Sequence, residues 1–171
     1  MISIRRERPE DIAVIRTVNE TGFDQSTEAD IIDALRDVCA DVLSLVAKSD
    51  GEIVGHILFS PVMIEDGSQS RQGMGLAPMA VTPDRQRQGI GSELVQAGLE
   101  ILRKQGCPFV IVLGHPDFYP RFGFVPAFRH GLRCQWEGVP DAAFMVLVLD
   151  ASSMAGVSGV ARYREEFDAA M

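Results

Sequence analysis

The sequence is short of positive charge: 16 Lys and Arg stand against 24 Asp and Glu, a formal net charge of −8. A protein that coats nucleic acid draws its affinity from phosphate contacts and needs a basic face, so no nucleic-acid partner is expected. Long apolar runs are missing as well. None reaches the roughly 20 residues needed to cross a bilayer, and the opening Met1-Ile2-Ser3-Ile4-Arg5-Arg6 lacks the charged-then-apolar layout of a secretory signal. The expectation is a cytoplasmic protein with no membrane partner. Cysteine is scarce: Cys39, Cys107 and Cys134 are widely spaced and form no C-x-x-C. They support neither a disulfide framework nor a zinc site, and no metal is expected. Internal repeats, low-complexity tracts and interdomain linkers are absent too. What remains is 46% hydrophobic residues, enough to fill a core. A length of 171 residues suits a single domain, 1–171, with about 151–171 as a C-terminal extension packed on it.

Hydrophobic periodicity divides the chain into a meander and a crossover. Residues 2–6 alternate as a short strand. Pro9-Glu10-Asp11 opens a helix with the stripe Ile12, Ile15, Val18, ending near Gly22. Thr27-x-x-Asp30 reads as a capping box before Ile31, Leu35 and Val38. Strand-like runs at 43–48 and 53–64 are joined at Asp50-Gly51, a hairpin dipeptide that accepts positive φ. A second turn, Glu65-Asp66-Gly67-Ser68, leads to a third run at 73–81. An amphipathic helix over 89–105 follows, with Ile90, Leu94, Ala97, Gly98, Ile101 and Leu102 on one face and Gly106 as its stop. The continuous apolar run at 109–113 reads as a strand buried on both faces, which makes a parallel strand–helix–strand crossover. A short helix over 116–122 and a final strand over 144–149 complete the elements, with the tail wrapping the surface.

The chemistry is concentrated between Met79 and Ser92, where a strand enters a loop with two glycines that opens directly into a helix. N–H groups at a helix start lack intrahelical partners, and the helix dipole adds positive potential. Gly89 and Gly91 let an anion approach the main chain, while Arg85 and Arg87 add cationic donors. This pattern suits a pyrophosphate. A nucleotide P-loop, G-x-x-x-x-G-K-[ST], is absent, and a dinucleotide fingerprint would need glycine where Leu94 stands. G-x-S-x-G and a paired Cys and His are absent as well, so no covalent nucleophile is indicated.

Gln86-Arg87-Gln88-Gly89-Ile90-Gly91 resembles the acetyl-CoA signature of the GCN5-related N-acetyltransferase family, Q/R-x-x-G-x-G/A. Met79-Ala80-Val81, the apolar run at 109–113 and Tyr119-Pro120-Arg121-Phe122-Gly123-Phe124 stand where that family has its strand, its next parallel strand and its Y-x-x-x-G-F segment. The order of elements is similar from residue 2 to 149. The subgroup it resembles most is the bacterial YhbS-type acyltransferases, through Gly55-His56-Ile57-Leu58-Phe59-Ser60-Pro61 and Phe118-Tyr119-Pro120-Arg121-Phe122-Gly123-Phe124.

The resemblance implies an α/β fold: a mixed, mostly antiparallel sheet of about six or seven strands, splayed beside a central parallel pair and flanked by about four helices. It implies acetyl-CoA as acyl-donor cosubstrate and transfer of the acetyl group to a primary amine of a small molecule or protein. The implied donor-binding set is Met79, Ala80, Val81, Gln86, Arg87, Gln88, Gly89, Ile90, Gly91 and Ser92. Tyr119 is implied as the catalytic residue that assists thiolate departure, and packing with a satisfied hydroxyl is its other reading. His56 reads as a hydrogen-bonded core histidine, His115 as a structural or supporting one with help in proton removal as its other reading, and His130 as surface. Glu20, Asp24, Glu28 and Asp117 are candidate proton acceptors, and each also reads as a solvated carboxylate. Arg121 and Arg129 are candidates for a 3′-phosphate or for surface ion pairs. The stretches 22–30 and 132–141, with Trp136, are expected around the acceptor. A non-catalytic acyl-CoA-binding sensor is the alternative function, and a homodimer is admissible.

Overall fold

Asp50 and Gly51 take φ values of 53° and 82°, the left-handed pair required by a two-residue hairpin turn. They join β2 (Leu43–Ser49) to β3 (Glu52–Asp66), and β1 (Ile2–Arg6) pairs antiparallel with β2 on its other side. The computed structural model describes residues 1–67 and 69–171. It groups them into two compact units. The first takes in Met1–Phe59, Pro78–Glu100 and Glu166–Ala170, and the second Ser60–Ala77, Ile101–Glu165 and Met171.

The first unit holds β1, β2, the start of β3, and the helices α1 (Ile12–Phe23) and α2 (Thr27–Val38). A short 3-10 turn, Pro9–Asp11, precedes α1, and Asp11 anchors it by accepting from Arg5 at 2.6 Å and from the Arg8 amide at 2.8 Å. Ile15 and Val18 are buried as the stripe requires, but Ile12 is exposed because it sits on the first turn. The expected capping box does not form. Ser26 occupies the cap, Thr27 is already helical, and the Asp30 carboxylate accepts from Arg16 Nη2 at 2.9 Å instead. Val38, the last residue of α2, is 65% exposed rather than part of the buried stripe.

A buried polar chain crosses this unit. His56 has no exposed surface; its Nε2 lies 2.8 Å from Ser44 Oγ and its Nδ1 3.1 Å from Asn19 Nδ2. Ser44 Oγ donates its proton to Glu7 Oε1 at 2.7 Å, so it accepts from the Nε2–H of His56, and Nδ1 is the acceptor for Asn19. Arg36 closes the chain with a bidentate pair to Glu7, 2.9 Å in both arms. Burial pushes the His56 pKa down to about 4, which keeps the ring neutral.

β4 (Gln69–Val81) and α3 (Ile90–Lys104) contribute residues to both units. β4 begins earlier than its apolar run, and of the expected turn before it Gly67 has φ 59° while Ser68 lies outside the described residues. α3 buries Ile90, Leu94, Val95, Gly98, Leu99 and Leu102, a wider face than the stripe drawn from periodicity, and leaves Ala97 and Ile101 half-buried. Gly106, at φ 80°, ends the helix: its amide bonds Arg103 O and the Cys107 amide bonds Leu102 O, the two reversed bonds of a Schellman turn.

In the second unit β4 pairs parallel with β5 (Phe109–Leu113), which confirms the crossover. Phe109, Val110, Ile111 and Val112 have no exposed surface, as a strand covered on both faces demands. β8 (Phe144–Val148) pairs antiparallel with β5 and with the two-residue β6 (Val125–Pro126). β7 (Leu132–Cys134) runs parallel to β9 (Gly159–Arg162), and β9 is antiparallel to β3. Nine strands among the described residues form one mixed sheet. Phe144–Val148 is therefore not the last strand. The tail does more than wrap a surface: after the short helix α4 (Ala151–Met154) it adds β9 and buries Ala161, Tyr163 and Phe167. The helix expected at 116–122 is a single 3-10 turn, Tyr119–Phe122.

Candidate functional site

The loop between β4 and α3 is shaped by its own backbone. Thr82 donates to Val54 O and Arg85 to Thr82 O, each at 2.9 Å, which sets a 3-10 turn at Pro83–Arg85. Arg87 then adopts φ 64° and Gly89 φ 85°. A non-glycine residue at positive φ is strained and marks a position that the surrounding structure over-determines. The first i→i−4 bond of α3 runs from the Glu93 amide to Gly89 O at 3.1 Å. The amides of Ile90, Gly91 and Ser92 precede that bond and have no intrahelical acceptor. A Cβ on Gly89 would meet nothing within 4 Å, so the main chain there is open to an approaching group. Gln86, Arg87, Gln88 and Gly89 are all exposed, and Gly91 and Ser92 half-buried.

Side chains fix this loop onto its strand. Gln86 Nε2 donates to Val81 O at 3.0 Å and Gln88 Nε2 to Asp84 O at 3.2 Å. Ile90 is buried and seats the helix start: a Cβ on Gly55 of β3 would lie 3.1 Å from Ile90 Cγ2 and from Leu94 Cδ1. Ala80 is buried and Met79 and Val81 are half-buried, the alternation of a strand. The end of α1 lies on this arm, since a Cβ on Gly22 would meet Ala80 Cβ at 3.1 Å and Val81 O at 3.4 Å. Gly22 opens the stretch 22–30 expected around the acceptor, whereas Gly55 enters the sequence reading only through the motif at 55–61. A glycine inside an otherwise apolar strand such as Gly55 signals a close approach of another backbone or helix, and that signal was present.

Arg85 departs from expectation. Its Nη1 donates to Ser49 Oγ at 2.9 Å, and its other nitrogens lie 3.7 Å from Asp50 Oδ2 and 4.0 Å from Asp84 Oδ2. Its guanidinium is thus directed at the β2–β3 turn rather than held in reserve for an anion. The exposed Arg87 is the cation the loop itself presents. Among the expected carboxylates, Glu20 lies 3.6 Å from Arg16 and Glu28 accepts from Gln25 at 2.8 and 3.0 Å. Asp24 is exposed at the end of α1, with φ 55°.

Tyr119 belongs to the second unit, where its motif acquires a physical reason. Its amide and that of Phe118 both donate to His115 O, which opens the 3-10 turn, and Gly123 at φ 98° closes it. That reversal brings Phe124 back onto Tyr119, ring centroids 5.7 Å apart, with Phe118 edge-on at 5.0 Å. Gly114 is required beneath the ring, because a Cβ there would fall 2.4 Å from Tyr119 Cε2. Burial leaves the side chain 7% exposed and pushes the phenol up to about 12, so it stays protonated. Arg121 stacks over Phe118 at 5.5 Å, and Trp136 packs 5.1 Å from Tyr163. His115, Asp117, Arg129 and His130 are exposed.

Comparison with known proteins places nearly the whole chain in one family. The profile of the Acetyltransferase (GNAT) family matches residues 11–124. The N-acetyltransferase YhbS of Escherichia coli is 37% identical over 166 residues, covering 96% of this chain and 98% of that protein. The crystal structure of E. coli YhbS in complex with CoA superposes with a TM-score of 0.90 over 98% of this chain and 92% of that one. A GNAT acetyltransferase from Brucella melitensis in complex with acetyl-CoA, also 37% identical, gives 0.80 over 98% and 99%. The chain belongs to the acetyltransferase (GNAT) family.

Proposed function

We propose that the chain transfers an acetyl group from acetyl-CoA directly to a primary amine of a small molecule or protein, with residues 1–171 acting as one cytoplasmic catalytic domain. The observation that carries this reading is the helix start: left-handed Arg87 and Gly89 lead into the Ile90, Gly91 and Ser92 amides. Such amides, with the helix dipole, bind a pyrophosphate without a metal ion. The relatives solved with CoA and acetyl-CoA support the choice of donor.

Each residue then has a task. The amides of Arg87 to Ser92 hold the pyrophosphate, Arg87 adds charge, and Gln86 and Gln88 keep the loop in shape. Ile90 anchors the helix start in the core. Ala80 packs into the core against Gly22 and holds this strand end in place, and the main chain of Met79 and Val81 pairs with the pantetheine arm. The lone pair of the unprotonated amine attacks the thioester carbonyl carbon, forming the C–N bond while the carbonyl π pair moves to oxygen. A main-chain N–H near Val81 stabilises that oxyanion. The C–S bond then breaks and its electron pair leaves on sulfur, and the extra proton on nitrogen passes to water. Tyr119 donates a hydrogen bond to the departing thiolate. A phenol near 12 holds its proton more tightly than a thiol of ordinary pKa about 8.5, so hydrogen bonding rather than full protonation is its contribution.

The test is incubation of the purified protein with acetyl-CoA and a panel of primary amines, followed by mass spectrometry of the amines. Acetylated product that depends on the protein supports the reading. Tight CoA binding with no acetylated amine across the panel favours an acyl-CoA sensor.

A further inference from the structure

We infer that Arg85 is a positioning residue of the donor loop, acting through Ser49, and is not a ligand of the donor phosphates; this rests on reading residues 86–92 as the pyrophosphate cradle. Ser49 is the last residue of β2, is only 4% exposed, and offers its hydroxyl oxygen to Arg85 Nη1 at 2.9 Å. A buried hydroxyl on a strand end is a fixed acceptor, so the bond locates the guanidinium rather than following it. Asp50 and Asp84 lie within 4.0 Å of the same guanidinium and offset its charge. Through its main chain Arg85 donates to Thr82 O, and Thr82 donates to Val54 O of β3. The segment just before the cradle is therefore stapled twice to the β2–β3 hairpin, once by main chain at Val54 and once by side chain at Ser49.

The staple bears on binding because a loop fixed beforehand has less freedom to lose when the ligand arrives. Arg87 needs this support, because its φ of 64° is a conformation that a freed loop abandons. Arg85 thus raises donor affinity without touching the donor, and the anion's charge is met by Arg87 and the helix-start amides.

The experiment is calorimetric titration of acetyl-CoA into the full-length protein across a series of NaCl concentrations. The variants are Ser49→Ala, Arg85→Gln, the double substitution and Arg87→Gln, each checked by thermal melting. Loss of one staple is expected to weaken binding about five- to tenfold, the range one hydrogen bond covers. Ser49→Ala and Arg85→Gln should weaken binding alike, the double variant should be no worse than Arg85→Gln, and both single variants should keep the wild-type salt dependence. Arg87→Gln should flatten that dependence, as loss of a phosphate contact does. Wild-type affinity in Ser49→Ala together with a flattened salt dependence in Arg85→Gln would make Arg85 a phosphate ligand and overturn the inference. Wild-type affinity in both single variants overturns it too. Failure of the wild type to bind acetyl-CoA removes the cradle reading itself and is recognised separately.

Discussion

The side-chain amide of Gln86 donates to the main-chain oxygen of Val81, 3.0 Å away, tying the first residue of the glycine loop to the last residue of β4. The bond links positions five apart and folds the first half of the loop back onto the strand end. Gln86→Glu keeps the shape of the side chain but has no N–H to give, and it places a negative charge beside the proposed pyrophosphate cradle. Acetyl-CoA affinity should fall more than tenfold in Gln86→Glu and less in Gln86→Ala. Calorimetry gives the ranking, and equal affinity of the wild type and Gln86→Glu would remove the bond from the account.

Gly91→Glu puts a side chain and a charge into the first turn of α3. Acidic residues are tolerated at a helix N-terminus, so the fold should keep its melting temperature. Acetyl-CoA binding should be lost. Undiminished binding in this variant would move the donor site elsewhere.

Tyr119→Phe retains the edge contacts with Phe118 and Phe124 and removes only the hydroxyl. Turnover should drop about ten- to a hundredfold while acetyl-CoA affinity stays within about twofold, the pattern of an interaction made in the transition state. Because burial raises the phenol to about 12, the wild-type rate should show no falling limb from tyrosine ionisation below pH 10. Unchanged turnover in Tyr119→Phe would leave the residue with packing alone.

Stability should decline on the acid side. The neutral form of His56 is favoured by the fold, its pKa lying near 4 against an ordinary 6.5. Its contribution is complete above pH 6.5 and is lost as the pH falls toward 4, on the order of 3 kcal/mol in all. Glu7, where hydrogen bonds from Arg36 and Ser44 outweigh the effect of burial and hold the carboxyl below its ordinary 4.5, loses its contribution in the same direction as the pH falls below 4.5. Urea unfolding between pH 7 and 4 measures the slope, and NMR of the imidazole should show Nδ1 unprotonated down to about pH 5. An imidazole that titrates near 6.5 in the folded protein contradicts this.

The parts of the fold legible in the sequence were those in which one local signal suffices. The 3.6-residue period of α3, the four consecutive core residues of β5 and the Asp50-Gly51 turn each declare themselves without distant help. β6, β7 and β9, of two to four residues, are too short to show alternation and exist because a partner strand pairs with them. The capping box at Thr27 failed for a tertiary reason, since Arg16 of another helix takes Asp30. In the loop, the glycines pointed to the proposed anion site, and the structure adds a positive φ at Arg87. The role of Arg85 was hidden because its partner, Ser49, stands 36 positions away. Tyr119 was visible only through its motif, whose spacing is explained by the Gly123 reversal that returns Phe124 to the ring.

Direct transfer from bound acetyl-CoA to an amine is the central claim, and release of free CoA thiol tests it most directly. Thiol should appear at a rate that depends on both acetyl-CoA and an amine of the panel, should be near zero without the amine, and should vanish in Gly91→Glu. Thiol release that proceeds equally without any amine, or no release from a protein that binds acetyl-CoA, would contradict the account.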